Sequence, residues 1–154
     1  MRNRIVLILT AIALAALMVA PSMVLAGARI QDEGEGTVSL DSVGEDTPEQ
    51  ATGTVKFELK KVDDGYVKLS YDAEVKNLPR KAGRIYVAWL IDDETGFSRP
   101  LGVFQTDRDG DAKRSGSGQA VFFAPFNKIQ VTSEELNDQD PGRSGPVVLE
   151  GTVD

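Results

Sequence analysis

Three aspartates alternate around a glycine in "DRDGDA", residues 107–112. Asp107, Asp109 and Asp111 offer carboxylate oxygens at a spacing used by calcium loops, and calcium takes roughly six to eight oxygen ligands. The register argues for something simpler. Gly110 stands fourth in the run rather than sixth, the twelfth position is Gly118 rather than Glu, and Lys113 and Arg114 follow at once. A calcium site here would have to recruit Asp138 and Asp140 from another loop. A tight turn needs only an aspartate at its first position and a glycine where φ is positive. The turn is the first reading, and calcium, the one cofactor the sequence suggests, is the alternative.

Other residues with chemical potential are few. Asp92, Asp93 and Glu94 follow an apolar run directly. Paired carboxylates can act as general acid and base, but consecutive residues at a strand end point to opposite faces. With no His and no Cys in the chain, and no serine in a nucleophile-elbow context, no enzyme is expected. Lys76, Arg80, Lys81 and Arg84 cluster around Pro79 in a chain of net charge −7. Their sign makes them the expected contact for a protein partner or an anionic surface ligand; the plainer reading is a solvated loop. Nucleic acid is excluded as a partner, because phosphate binding needs a basic footprint. In "FFAPF", residues 122–126, alternation places Phe122 and Phe123 on opposite faces, which gives one of them access to the surface; core is the first reading and a binding patch the alternative.

The elements that must position these residues are strands. Val55, Phe57 and Leu59 alternate with Lys56, Glu58 and Lys60, and Val67, Leu69, Tyr71, Ala73 and Val75 alternate with polar neighbours. Period two over such lengths is half-buried antiparallel strand. "DDG" at 63–65 joins the two runs as a hairpin. "RIYVAWLID" is apolar on both faces and reads as a central strand, with Tyr86, Trp89 and Leu90 in the core. "PLGVFQT", "GQAVFFAP", "KIQVTS" and "PVVLEGTV" follow, and "SEELNDQD" at 133–140 offers a single helical turn with Ser133 as its cap. About seven short strands predict an all-β domain over 52–154, an immunoglobulin-like antiparallel β-sandwich.

Before it, residues 29–51 carry seven acids and one base, Arg29, with few large apolar residues. Such a segment reads as a flexible tether, to which Val38 and Leu40 add at most a short edge strand. Residues 1–28 have the build of a signal peptide: Arg2 and Arg4, an apolar run from Ile5, Pro21, and the small residues Ala26-Gly27-Ala28. Cleavage there would remove two positive charges and no acid, taking the net charge from −7 to −9. The expected location is extracellular, periplasmic or at the cell envelope, with membrane contact only if the segment is retained as an anchor.

From about Asn77 to Val153 the chain resembles the extracytoplasmic domain of anti-sigma-K factors. The resemblance rests on Leu78-Pro79, Gly83, Tyr86, Trp89 and Leu90, then Gly102 to Phe104, Asp107 to Gly110, Ile129, Val131 and Thr132, and the closing Gly145 to Gly151. It implies a binding or sensing domain and places Phe104 in the core. It carries over no anti-sigma activity, because the zinc-binding His and Cys pattern and the sigma-holding helices have no counterpart in this sequence. The expectation is a non-enzymatic exported module, with a calcium-ordered structural or adhesive module as the alternative.

Overall fold

The computed structural model describes residues 33–62, 65–120, 125–138, 140 and 142–153. Eight strands run β1 (Gly34–Ser42), β2 (Thr52–Val62), β3 (Tyr66–Lys76), β4 (Arg84–Asp92), β5 (Phe97–Phe104), β6 (Ala112–Ala120), β7 (Lys128–Glu135) and β8 (Val147–Thr152). Every pairing is antiparallel, and the order is β5-β4-β7-β8-β1-β2-β3-β6. No α-helix occurs among the described residues.

The alternating runs do what their period dictates. Phe57 pairs with Tyr71 and Leu59 with Leu69 across β2 and β3, and Val38 and Leu40 of β1 extend the same buried face. Gly65, at φ 77°, completes the hairpin between β2 and β3; Asp63 and Asp64 lie outside the described residues. On β4, Tyr86, Ala88 and Leu90 join the main core while Val87, Trp89 and Ile91 form a second cluster on the opposite face. Tyr86 stacks on Phe104 with ring centroids 5.7 Å apart, and Phe57 meets Phe126 edge-on at 5.3 Å.

The structure differs from the sequence reading in four places. The hydrogen-bond ladder makes one eight-stranded, nearly closed sheet, where seven strands in two sheets were expected. Much of the acidic segment is no tether: β1 lies between β2 and β8, with Val38 and Leu40 each 1% exposed and Glu35 and Asp41 turned outward. Two apolar residues suffice because the neighbouring strands supply the rest of that core face. Residues 133–135 are strand rather than helix; Ser133 is buried in β7, whose ladder with β4 holds it extended. The strand expected at "GQAVFFAP" lies earlier, at Ala112–Ala120, and residues 121–124 fall outside the described residues.

That last shift explains how the sheet curls. The β6 residues paired with the buried face of β3 are Ala112, Arg114, Gly116, Gly118 and Ala120. None is a large apolar residue, so the strand leaves no hydrophobic period to read. Tyr71 fills the space over Gly116: a Cβ there would stand 2.6 Å from the Tyr71 ring. The end strands β5 and β6 approach to within 8 Å between Cα atoms without a hydrogen-bonded ladder. The barrel therefore has one unbonded seam.

Candidate functional site

The seam opens into a cleft of about 290 Å³, near the lower limit of roughly 300 Å³ for small-molecule pockets. Leu69, Tyr71 and Leu90 form its floor, Arg99 to Gly102 of β5 one wall, and Arg114 with Gly116 to Gly118 of β6 the other. Two arginines and no carboxylate line it. Four other depressions each contain acids.

Local sequence builds this opening. A Cβ on Gly118 would meet nothing within 4 Å, so the glycine leaves open space beside Leu69. Gly102 allows the Tyr71 hydroxyl to lie against the β5 backbone, and the Arg114 stem passes close by. Tyr71 is 8% exposed, and its hydroxyl has no hydrogen-bond partner among the described residues. The cleft brings together a donor-capable hydroxyl, two guanidinium groups and an aliphatic floor.

The residues singled out in the sequence go elsewhere. Asp107 makes a turn: its Oδ1 accepts the N–H groups of Asp109 and Asp111, both at 2.9 Å, and its own N–H donates to the Asp111 carbonyl at 2.9 Å. Gly110 sits at φ 89° and its carbonyl accepts the Leu78 N–H at 2.9 Å, tying this turn to the Leu-Pro loop. Asp111 Oδ1 accepts the Asn77 N–H at 3.2 Å. Among the described residues, no three His, Cys, Asp or Glu are grouped so as to hold a metal ion. Asp138 and Asp140 cap their own loop, accepting from Asp140 N–H and Gly142 N–H respectively. The Ser144 hydroxyl, and then the Asp140 amide, hold the Asp138 carboxyl below its ordinary pKa of 3.8.

Asp92 and Asp93 diverge. Asp92 is 1% exposed and accepts from Glu94 N–H and the Thr95 hydroxyl, while Asp93 lies 3.0 Å from Lys128 Nζ. The hydrogen bond to Asp93 raises the Lys128 pKa above 10.5. The basic cluster also divides. Arg84 donates from Nε to Ser133 Oγ at 2.7 Å and from Nη2 to the Ser133 carbonyl, which pins the start of β4 to β7. Lys76 pairs with Glu74, Arg80 is exposed, and Lys81 shares a depression with Glu45 and Asp46. Tyr86 and Leu90 are core residues and Phe104 packs against them. The Tyr86 hydroxyl donates to the Pro79 carbonyl, and burial pushes its pKa up. Phe122 and Phe123 lie outside the described residues.

Sequence reasoning missed Tyr71 as more than a strand residue, and missed Arg99, Arg114 and Glu134. A signal was present: "RSGSG" beside a strand reading of β3 leaves an aromatic facing glycines. No family model matches this chain, and neither does any curated protein or solved structure.

Proposed function

We propose that this chain is a non-enzymatic, exported binding or sensing module of the cell surface, and that the β5–β6 seam is its binding opening. One observation carries the reading: the unbonded β5–β6 seam opens a cleft of about 290 Å³ in which Tyr71, Arg99 and Arg114 lie over the aliphatic side chains of Leu69 and Leu90. Export is supported by the signal-like residues 1–28, and a non-enzymatic role by a sequence without His or Cys. The resemblance to the outer domain of anti-sigma-K factors supports sensing. Two stretches that carry it, Leu78-Pro79 and Asp107 to Gly110, meet through the Leu78–Gly110 hydrogen bond.

Two measurements test the reading. Fractionation with N-terminal sequencing should find the chain outside the cytoplasm, beginning at Gly27 or Arg29; intact chain in the cytoplasm would overturn export. Amide chemical shifts recorded with the small-molecule fraction of a cell envelope should move on β5 and β6. Shifts confined to another face would refute the seam as the opening.

A further inference from the structure

We infer that the outward side of β4, β5 and β7 is a docking groove for a basic side chain, lysine or arginine, presented by a protein partner. This surface is apart from the seam and shares only Pro100 with its cleft. The groove is apolar at its base. Val87 and Trp89 belong to the outward cluster of β4, and both line it. Val103 stands opposite Val87. The β4–β5 register shifts between Ala88 and Trp89, so Pro100 rather than Leu101 stands opposite the tryptophan. Leu136, just past β7, completes the apolar lining. Val103 and Leu136 are 49% and 54% exposed, two of the four large apolar side chains left at the surface among the described residues. An exposed apolar patch with a polar rim marks an interaction surface.

Charge chooses the occupant. Glu134, Glu135, Asp138 and Asp140 line the groove, with no lysine or arginine beside them in the lining. Among the described residues only Glu135 of the four has a cation at ion-pair distance, Arg84 at 4.0 Å. The other three accept from neutral donors: the Thr132 and Ser144 hydroxyls and the N–H groups of Asp140, Gly142 and Gly145. Those bonds fix the carboxylates in place without neutralising them. Lysine and arginine lay their methylene stems along apolar surface and keep the charged head at the polar rim, which is the pattern this groove offers. Size sets the scale. The groove measures about 180 Å³, below the roughly 300 Å³ of small-molecule sites, so it takes one side chain of a larger partner. An anionic membrane surface would be repelled by the same four carboxylates.

The test titrates the ¹⁵N-labelled protein with short blocked peptides in which leucines flank a central lysine or arginine. Trp89 is the only tryptophan of the chain and reports by fluorescence, while the amides of Val87, Val103 and Leu136 report by chemical shift. Saturable changes in both are expected with one or both peptides. Norleucine in place of the lysine keeps the stem and drops the charge, and should weaken binding roughly tenfold; glutamate there should abolish it. Leu136→Ser should weaken binding roughly fivefold through lost apolar contact. Glu135→Gln combined with Asp140→Asn should weaken it roughly fivefold at an unchanged melting temperature, because both residues are exposed and asparagine keeps an acceptor for the Gly142 N–H. Norleucine binding as tightly as lysine would overturn the basic side chain as occupant. Unchanged affinity in both Leu136→Ser and the carboxylate double variant would overturn the groove as the site, as would the absence of any change at Trp89, Val87, Val103 and Leu136 with every peptide at millimolar concentration. Groove shifts that appear on concentrating the protein alone would replace the partner with a second copy of this chain.

Discussion

The outer face of β4 and β7 and the seam between β5 and β6 both set polar groups beside aromatic ones, and they resolve them differently. On the β4–β7 face every step is completed. Trp89 Nε1–H donates to Thr132 Oγ1 at 2.8 Å, whose hydroxyl donates to Glu134 Oε1 at 2.5 Å. Glu134 Oε2 accepts Gly145 N–H at 2.7 Å and lies 3.0 Å from Ser144 Oγ, whose one hydroxyl hydrogen is shared with Asp138 Oδ2 at 2.6 Å, fastening the β7–β8 connection over Val87 and Trp89. At the seam Tyr71 completes nothing. Buried polar networks stabilise a fold when fully satisfied, so the first face is held by its network, whereas the Tyr71 hydroxyl at the seam is part of none.

The widest separation of the two regions is expected from Glu134→Ala. It leaves Thr132 and the Gly145 amide without their acceptor and should cost roughly 2–4 kcal/mol, read from urea unfolding. A loss below that range would mean the network is not what holds this face. Paired glycine variants sharpen the contrast at the seam. Gly116→Ala must displace the Tyr71 ring and should cost about 1–3 kcal/mol. Gly118→Ala, with open space around it, should stay within roughly 0.5 kcal/mol. Equal effects would show that the cleft is packed shut.

Smaller effects are expected at the 107–111 turn. Asp107→Ala removes an acceptor shared by two amides and should cost about 1–2 kcal/mol; Asp107→Asn keeps an acceptor oxygen and should cost less. Millimolar calcium should leave the melting temperature in place. A rise of several degrees would favour the calcium-ordered module, since a ligand of the folded state must stabilise it. The smallest effect concerns acid. The Asp138 carboxyl is held below 3.8 by Ser144 first and the Asp140 amide second. Its contribution is therefore present above the unfolded value and is lost as pH falls through the lower folded one. Below pH 3.8, the Asp138–Ser144 contact should loosen before the β4–β7 ladder does, as followed by Ser144 chemical shifts.

How legible this was varied by element. Strands β2, β3 and β4 could be read because their inward faces carry large apolar side chains at period two. β1 resembles a tether in sequence because only Val38 and Leu40 mark its buried face and the rest of its core contacts come from β2. β6 was misplaced because its inward face holds Arg114, Gly116 and Gly118, and Tyr71 from the next strand replaces the missing bulk. The same substitution hid the site. An aromatic paired across strands with a glycine is invisible in a single-strand pattern, and the cleft exists only once β5 and β6 are brought together. The aspartate turn was legible because its chemistry is local: Asp107, Asp109, Gly110 and Asp111 satisfy one another within five residues.

The central claim is that β5 and β6 face each other across an unbonded seam while every other strand is paired on both sides. Residue-resolved amide hydrogen exchange tests it directly. In an edge strand alternate amides lack a ladder partner, so every second amide of β6 should exchange orders of magnitude faster than the amides of β4 and β7. Uniform protection along β6, equal to that of β4 and β7, would contradict the claim and close the barrel.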